Sequence, residues 1–277
     1  MFSMSFYATT SFFVAVLIYN LSFIIFLGSK EHSPRAFSFA VLLAATWVLS
    51  AAFEYTFAGL PSMGMTFGFN NSDLTTFFVR LAYFFGTVVP FAVFYFALTY
   101  PTNHKPAYLV RIILFFGGFL TVCLYFAKDI LFLFGLGDLI PEHTLITKTY
   151  IQDGYLHWVF GKFDIFFFIL FFGVFYSALA VLWQKYMQQT DPKLKKQAWW
   201  MFWAMTIGII PVSILDAITP SFDIFGLYWI GIVSSLGWVL TVGYSIIKEN
   251  QMNVRTVTNE LLVVAMILLM FIGMFAV

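Results

Sequence analysis

The sequence predicts an all-α polytopic membrane protein: a transmembrane helix bundle of seven core helices, an eighth C-terminal hydrophobic helix and a small extracellular β-hairpin. Three observations carry this. Hydrophobic residues make up 61% of the 277-residue chain and charged residues only 10%, where a soluble domain carries about 25% charge. Mean hydropathy is +0.90. A soluble fold this apolar could not cover its own core, whereas a lipid-facing bundle has no need to. Finally, the apolar residues gather into runs of about 20, enough to cross a bilayer core.

Those runs cover residues 6–27, 36–57, 74–100, 108–126, 161–183, 198–218, 224–247 and 260–277. No Gly/Ser linker or charge-rich tail separates them. Residues 1–257 therefore read as one seven-helix domain and 258–277 as the additional helix. The opening MFSMSFYATT has no basic region and no clear small-residue cleavage site. It reads as the lead-in to the first helix, not as a removable signal peptide.

The turns have simple chemistry. Ser33-Pro34 separates the first two helices. Pro101 and Pro106 bracket the loop after the third, since proline disfavours helix before it. Asp191-Pro192 breaks the fifth from the sixth. Ser72 or Asp73 is placed to cap the third helix. The longest connection, 135–160, holds two β-prone stretches, 144–151 and 155–160, around Asp153-Gly154. Asp-Gly between such stretches signals a hairpin, here expected to cover the helix ends.

Orientation follows from the basic residues of the loops. Lys30, Arg35, Lys105, Arg111, Lys185, Lys193, Lys195, Lys196, Lys248 and Arg255 belong to one set, and Lys128, Lys148 and Lys162 to the other. The larger set is expected in the cytoplasm, which places the N-terminus outside.

Charge inside a membrane is costly and marks sites. Four residues qualify: Glu54, Arg80, Asp164 and Asp216. All fall toward the outer ends of their helices, which suggests a polar outer pocket. A buried guanidinium needs a partner, and Glu54 on the preceding helix is the first choice for Arg80. Trp47 shares a helix face with Glu54, and Tyr83 shares one with Arg80. These six are the candidate ligand-binding residues. The alternative stays open: Asp164 and Asp216 can snorkel to the interface, and Glu54–Arg80 can be a structural ion pair. Pro90 and Pro211 can kink the third and sixth helices. Asn20 reads as a helix–helix hydrogen bond, and the single cysteine, Cys123, as a small core residue.

Several chemistries drop out. There is no HExxH, GxSxG, CxxC or Walker-type glycine loop. The four histidines, His32, His104, His143 and His157, all read as loop residues, so no pair is placed to hold a haem. Lys248 lies at the end of helix seven, where it cannot carry a mid-membrane Schiff base. A net charge of +1 argues against a nucleic-acid partner. No enzyme activity, cofactor or metal is expected.

Residues from about Tyr7 to Val257 resemble the N-terminal seven-transmembrane region of bacterial histidine kinases, a sensor input domain. The resemblance rests on Trp47 and Glu54 in helix two, and on Arg80-Leu-Ala-Tyr83, Gly86 and Pro90 in helix three. Phe96-Ala97-Leu98-Thr99-Tyr100 closes that helix, and Lys195-Lys196-Gln197-Ala198 leads into helix six with Ile210-Pro211. Gly243-Tyr244-Ser245-Ile246-Ile247 ends helix seven. Two features depart from the family. Met252-Asn253 stands where the family usually has a Leu-x-Asp-like element. No phosphoacceptor-histidine helix or ATP-binding glycine box follows within the chain, and the eighth apolar run stands there instead. That end reads as a truncated chain, or as a form in which further helices precede the output domain. The resemblance implies a signal-input role in the cytoplasmic membrane of a bacterium, with the lipid bilayer, a small-molecule or membrane-derived signal and a downstream kinase or output domain as partners. The alternative readings are a small transporter or channel component, and a scaffold subunit. Transporters usually keep coupling charges near the midplane, with internal repeats, and this chain has neither.

Overall fold

The computed structural model describes residues 4–59, 71–102, 106–133, 146–152, 155–160, 164–218 and 228–249. Within them the order is α1 (Met4–Gly28), α2 (His32–Gly59), α3 (Asn71–Thr99), α4 (Tyr108–Leu133), β1 (Ile146–Gln152), β2 (Tyr155–Phe160), α5 (Asp164–Gln188), α6 (Pro192–Val212) and α7 (Tyr228–Glu249). A π-helical turn, Ser213–Ile218, continues α6 directly. Five helices, α1, α2, α3, α5 and α6, are long and apolar enough to cross a membrane, the mark of a multi-pass membrane protein. α4 and α7 contain the shorter apolar stretches Val110–Thr121 and Ile230–Tyr244. The eighth run, 260–277, lies outside the described residues.

Several helices outrun the apolar stretches that announce them. α2 starts at His32, α6 starts at Pro192, and α4 continues to Leu133. Hydropathy records where lipid ends, but backbone hydrogen bonding continues in water wherever the residues favour helix, as Lys193-Leu194-Lys195-Lys196-Gln197 do. The turns shrink accordingly. Between α5 and α6, Asp191 is the N-cap: its side chain accepts from the Lys193 amide at 2.8 Å, with Pro192 as the first helical residue. That is the favoured chemistry of a helix start. At α3 the helix begins at Asn71, which places Ser72 and Asp73 inside its first turn.

The helices close into a ring. α1 packs on α2, α2 on α3, α3 on α5, α5 on α6, α6 on α7, and α7 returns to α1. α4 stands outside, against α3. Small residues let the members approach. A Cβ on Gly208 of α6 would fall 2.2 Å from the Trp238 Cβ of α7, and one on Gly243 of α7 would meet Leu21 of α1 at 3.0 Å. α2 contributes the buried alanines Ala36, Ala40, Ala44, Ala51 and Ala58, in keeping with close packing in membranes, where lipid is as apolar as the core. The α2–α3 seam is aromatic: Phe37 meets Phe96 at 5.2 Å and Phe53 meets Phe78 at 5.0 Å between ring centroids.

Many polar side chains inside the bundle are satisfied locally or across one seam, whereas the Ser213 hydroxyl and the Trp238 indole N–H are buried with no hydrogen-bond partner among the described residues. Thr46, Ser50 and Thr87 donate to the carbonyl one turn back, which suits hydroxyls in an apolar medium. α1 and α2 are joined by Tyr19 to Thr46 at 2.7 Å and by Ser22 to Ser38. Asn20 does not reach another helix as expected; its Nδ2 donates to Val16 O in its own helix at 2.8 Å. Cys123 is half-buried instead of core. His32 is the first residue of α2, hydrogen-bonded to Tyr95 of α3 at 2.8 Å, and His157 lies in β2, so neither is a loop residue. His104 and His143 lie outside the described residues.

The hairpin stands where the sequence places it. β1 and β2 are antiparallel with Gln152 opposite Tyr155, leaving positions 153 and 154 as the connection. Ile146 pairs with Phe160 and Lys148 with Val159, so Thr147 is the extra residue of a β-bulge. β1 lies against α3.

Candidate functional site

The hairpin end of the α2–α3 seam gathers four of the six candidate residues. Trp47, Glu54, Arg80 and Tyr83 are all buried, Glu54 at 0% exposure and Arg80 at 7%. Arg80 lies about 14 Å along the axis from Asn71. Glu54 and Arg80 occupy similar levels, because the antiparallel seam aligns Phe53 with Phe78 on one side of them and Trp47 with Gly86 on the other. Phe57 also stacks on Phe78, at 5.2 Å.

Arg80 reaches the hairpin. Its Nε donates to the Ile146 carbonyl at 3.0 Å. One turn earlier on the same helix face, Thr76 hydrogen-bonds Thr149 hydroxyl to hydroxyl at 2.8 Å. Ile146, Thr149 and Leu156 are buried, so the contact is closed to solvent and its hydrogen bonds face little competition from water. The Thr147 bulge sits beside it, where bulges commonly re-aim a strand. One turn beyond Arg80, Tyr83 sets its ring edge-on to Phe167 of α5 at 5.1 Å. The hairpin, α3 and α5 thus meet around Arg80 and Tyr83.

Asp164 and Asp216 are placed differently. Asp164 is the first residue of α5, and Asp216 lies in the π-helical turn after α6. Both stand near the limits of their helices as described, at 164 and 216. π-helical turns occur frequently at functional sites, and this one follows Pro211, which lacks the amide that would continue the α-helical ladder. Pro90 lies inside α3, which runs through it to Thr99.

The opposite end of the bundle holds a feature the sequence does not announce. Lys185, expected in a loop, stands in the last turn of α5. Its Nζ donates to three carbonyls at the end of α3: Ala97 at 2.9 Å, Leu98 at 2.7 Å and Tyr100 at 2.5 Å. The final carbonyls of a helix have no partner within it and carry its negative dipole end, so one ammonium both bonds and neutralises them. A cavity of about 160 Å³ adjoins Lys185, lined also by Pro101, Thr102 and Gln188. A second, of about 320 Å³, is lined by Glu31, Ser33, Tyr100, Asp191, Lys193 and Gln197. Among the described residues, no group of three or more His, Cys, Asp and Glu is placed to hold a metal ion.

No protein-family model and no curated protein matches the chain.

Proposed function

We propose that the chain is a membrane-embedded signal-input module of the histidine-kinase type, with seven spanning helices, the hairpin end and N-terminus outside and the α5–α6 turn in the cytoplasm. The stimulus acts at the hairpin–α3 junction, and Arg80 pairs there with Glu54. Asp164 and Asp216 shape the rest of the site.

One observation carries this reading: α3 is gripped from outside itself at both ends. The hairpin holds it through Thr76 and Arg80, and α5 holds it through Lys185. A shift of the hairpin is passed to α3 by buried hydrogen bonds, and the far end of α3 is bonded to the helix that enters the α5–α6 turn. A two-state element biased at one end and read at the other is what a signalling module requires.

The test is a screen of small molecules for thermal stabilisation of the purified chain, paired with flux measurements in proteoliposomes. Stabilisation that is lost in Arg80→Met, kept in Arg111→Gln and unaccompanied by flux is the expected result. Flux of the stabilising compound would make the protein a transporter. Orientation is checked by labelling a cysteine introduced at Gln189, which should be unreactive to an impermeant reagent on intact cells.

A further inference from the structure

Away from the hairpin, α5 and α6 meet in a cluster of aromatic rings. Trp183 lies 5.2 Å from Phe202, Tyr186 lies 4.9 Å from Trp199, and Trp199 lies 5.5 Å from Trp203, between ring centroids. Lys195 holds its ammonium 5.2 Å from the Tyr186 centroid, a cation–π contact. Lys193 and Lys196 flank it, both exposed. Among the described residues, no carboxylate is ion-paired with these three lysines. Nor does any acceptor bond the indole N–H of Trp199, Trp200 or Trp203. Asp191 gives its side chain to the Lys193 amide as the helix cap. Apart from Glu31 and Asp191, which line a cavity with Lys193, the surface is rich in donors and poor in acceptors.

The exposed stripe of α6 changes character with depth. It runs Lys196, Trp200 at 58% exposure, Trp203 at 41%, Ile207 at 69%, Ile210 at 41% and Ile214 at 45%. Charge gives way to indole, and indole to aliphatic side chains, over about 21 Å from Trp200 to Ile214. This is the order of headgroup, interface and acyl chain along a membrane protein. A free anion would use the donors and leave the isoleucines bare. A zwitterionic lipid would bring its own cation to a surface that already holds three.

We propose that this face of α5 and α6 binds an anionic phospholipid. Its phosphate sits among the ammonium groups of Lys193, Lys195 and Lys196 and the indole N–H of Trp200, and its acyl chains lie along Ile207, Ile210 and Ile214. The inference needs only that the helices cross a bilayer; it stands or falls independently of the signalling reading. Each lysine near an anionic headgroup contributes about fivefold, so a preference of at least tenfold over a zwitterionic lipid is expected for three.

The test uses the full chain in phosphatidylcholine bilayers with increasing fractions of brominated phosphatidylglycerol or brominated phosphatidylcholine. Quenching of tryptophan fluorescence reports which lipid occupies the site. Brominated phosphatidylglycerol should quench at a mole fraction about tenfold lower. The triple change Lys193→Gln, Lys195→Gln and Lys196→Gln should bring the two curves together, and the matching triple change to Arg should keep them apart. Arg111→Gln, which removes a cation at the start of α4, should change nothing. Excess glycerol 3-phosphate should leave the quenching as it was, which separates a lipid from a free phosphate. Equal quenching by the two lipids in the unaltered protein would overturn the proposal. So would an Arg111→Gln effect as large as that of the triple change, which would mean diffuse positive charge instead of a site. Competition by glycerol 3-phosphate would overturn it too.

Discussion

Replacing Lys185 with Met isolates the grip on α3, because Met keeps the length of the side chain and removes the charge and all donors. Three bonds of 2.5 to 2.9 Å are lost. A hydrogen bond to a charged group contributes about 1.5–3 kcal/mol net, so simple addition gives a figure near 7 kcal/mol. That sum overstates the effect. Lys185 is only half-buried and borders a cavity of about 160 Å³, so water can reach the abandoned carbonyls and satisfy part of what the ammonium did. The helix-end charge interaction adds back at most about 2 kcal/mol. A net loss of about 2–4 kcal/mol is expected, a fall of roughly 5–15 °C in melting temperature for a chain of this size. Cys123 is the only cysteine and half-buried in α4, so a thiol-reactive fluorophore in detergent reports unfolding without an added probe. Lys185→Arg, which keeps the charge and several donors, should retain most of the stability. A melting temperature for Lys185→Met within about 1 °C of the parent would refute the reasoning: water would then serve the α3 carbonyls as well as the ammonium does.

Three further outcomes follow from the packing. Gly208→Ala should destabilise by about 1–3 kcal/mol through overpacking, because its Cβ would lie 2.2 Å from the Trp238 Cβ; Gly237→Ala, where the space is open, should be neutral or stabilising, and equal melting temperatures would show that α6 and α7 are not so closely set. Arg80→Met and Glu54→Gln should each destabilise, and the double change should cost at least 0.5 kcal/mol less than their sum if the two are paired; additivity in thermal melts would dissolve the pair. Asp191→Ala removes the α6 cap and should cost about 1 kcal/mol, whereas Asp191→Asn or Asp191→Ser should restore it, as measured by the same thermal assay.

The elements were legible where one residue type does one job. Runs of apolar residues located the helices, and Asp153-Gly154 between β-prone stretches located the hairpin with its strands in register on either side. Asp191-Pro192 marks the break between α5 and α6, because a cap is a contact between near neighbours, although the apolar run that announces α6 begins only at Ala198. What escaped was whatever depends on distant partners or on water. The apolar run stops short of the start of α6 because helix formers such as Lys193, Leu194, Lys195, Lys196 and Gln197 carry the helix past it. Lys185 looked like a loop cation because nothing local reveals that α3 ends at the same level on the next helix. Asn20 looked like glue between helices, but its own Val16 carbonyl was nearer. For the candidate site, sequence periodicity puts Trp47 on one helix face with Glu54 and Arg80 on one with Tyr83, and all four are buried. It could not show that Arg80 meets the hairpin backbone, since a carbonyl acceptor such as Ile146 O belongs to every residue type alike.

The seam between α1 and α7 joins the beginning of the described chain to its end. Leu21 and Ile25 of α1 rest against Gly243 of α7, with five helices synthesised in between. During insertion α1 and α2 can pair at once through Tyr19–Thr46 and Ser22–Ser38, but the other flank of α1 waits for the last of the seven to arrive. Until then it must be covered by lipid or by an insertion chaperone. The ring of described helices therefore closes only after α7 is made. Substitutions at Gly243 should show themselves less in the finished protein than in the fraction of chains that escape degradation before closure.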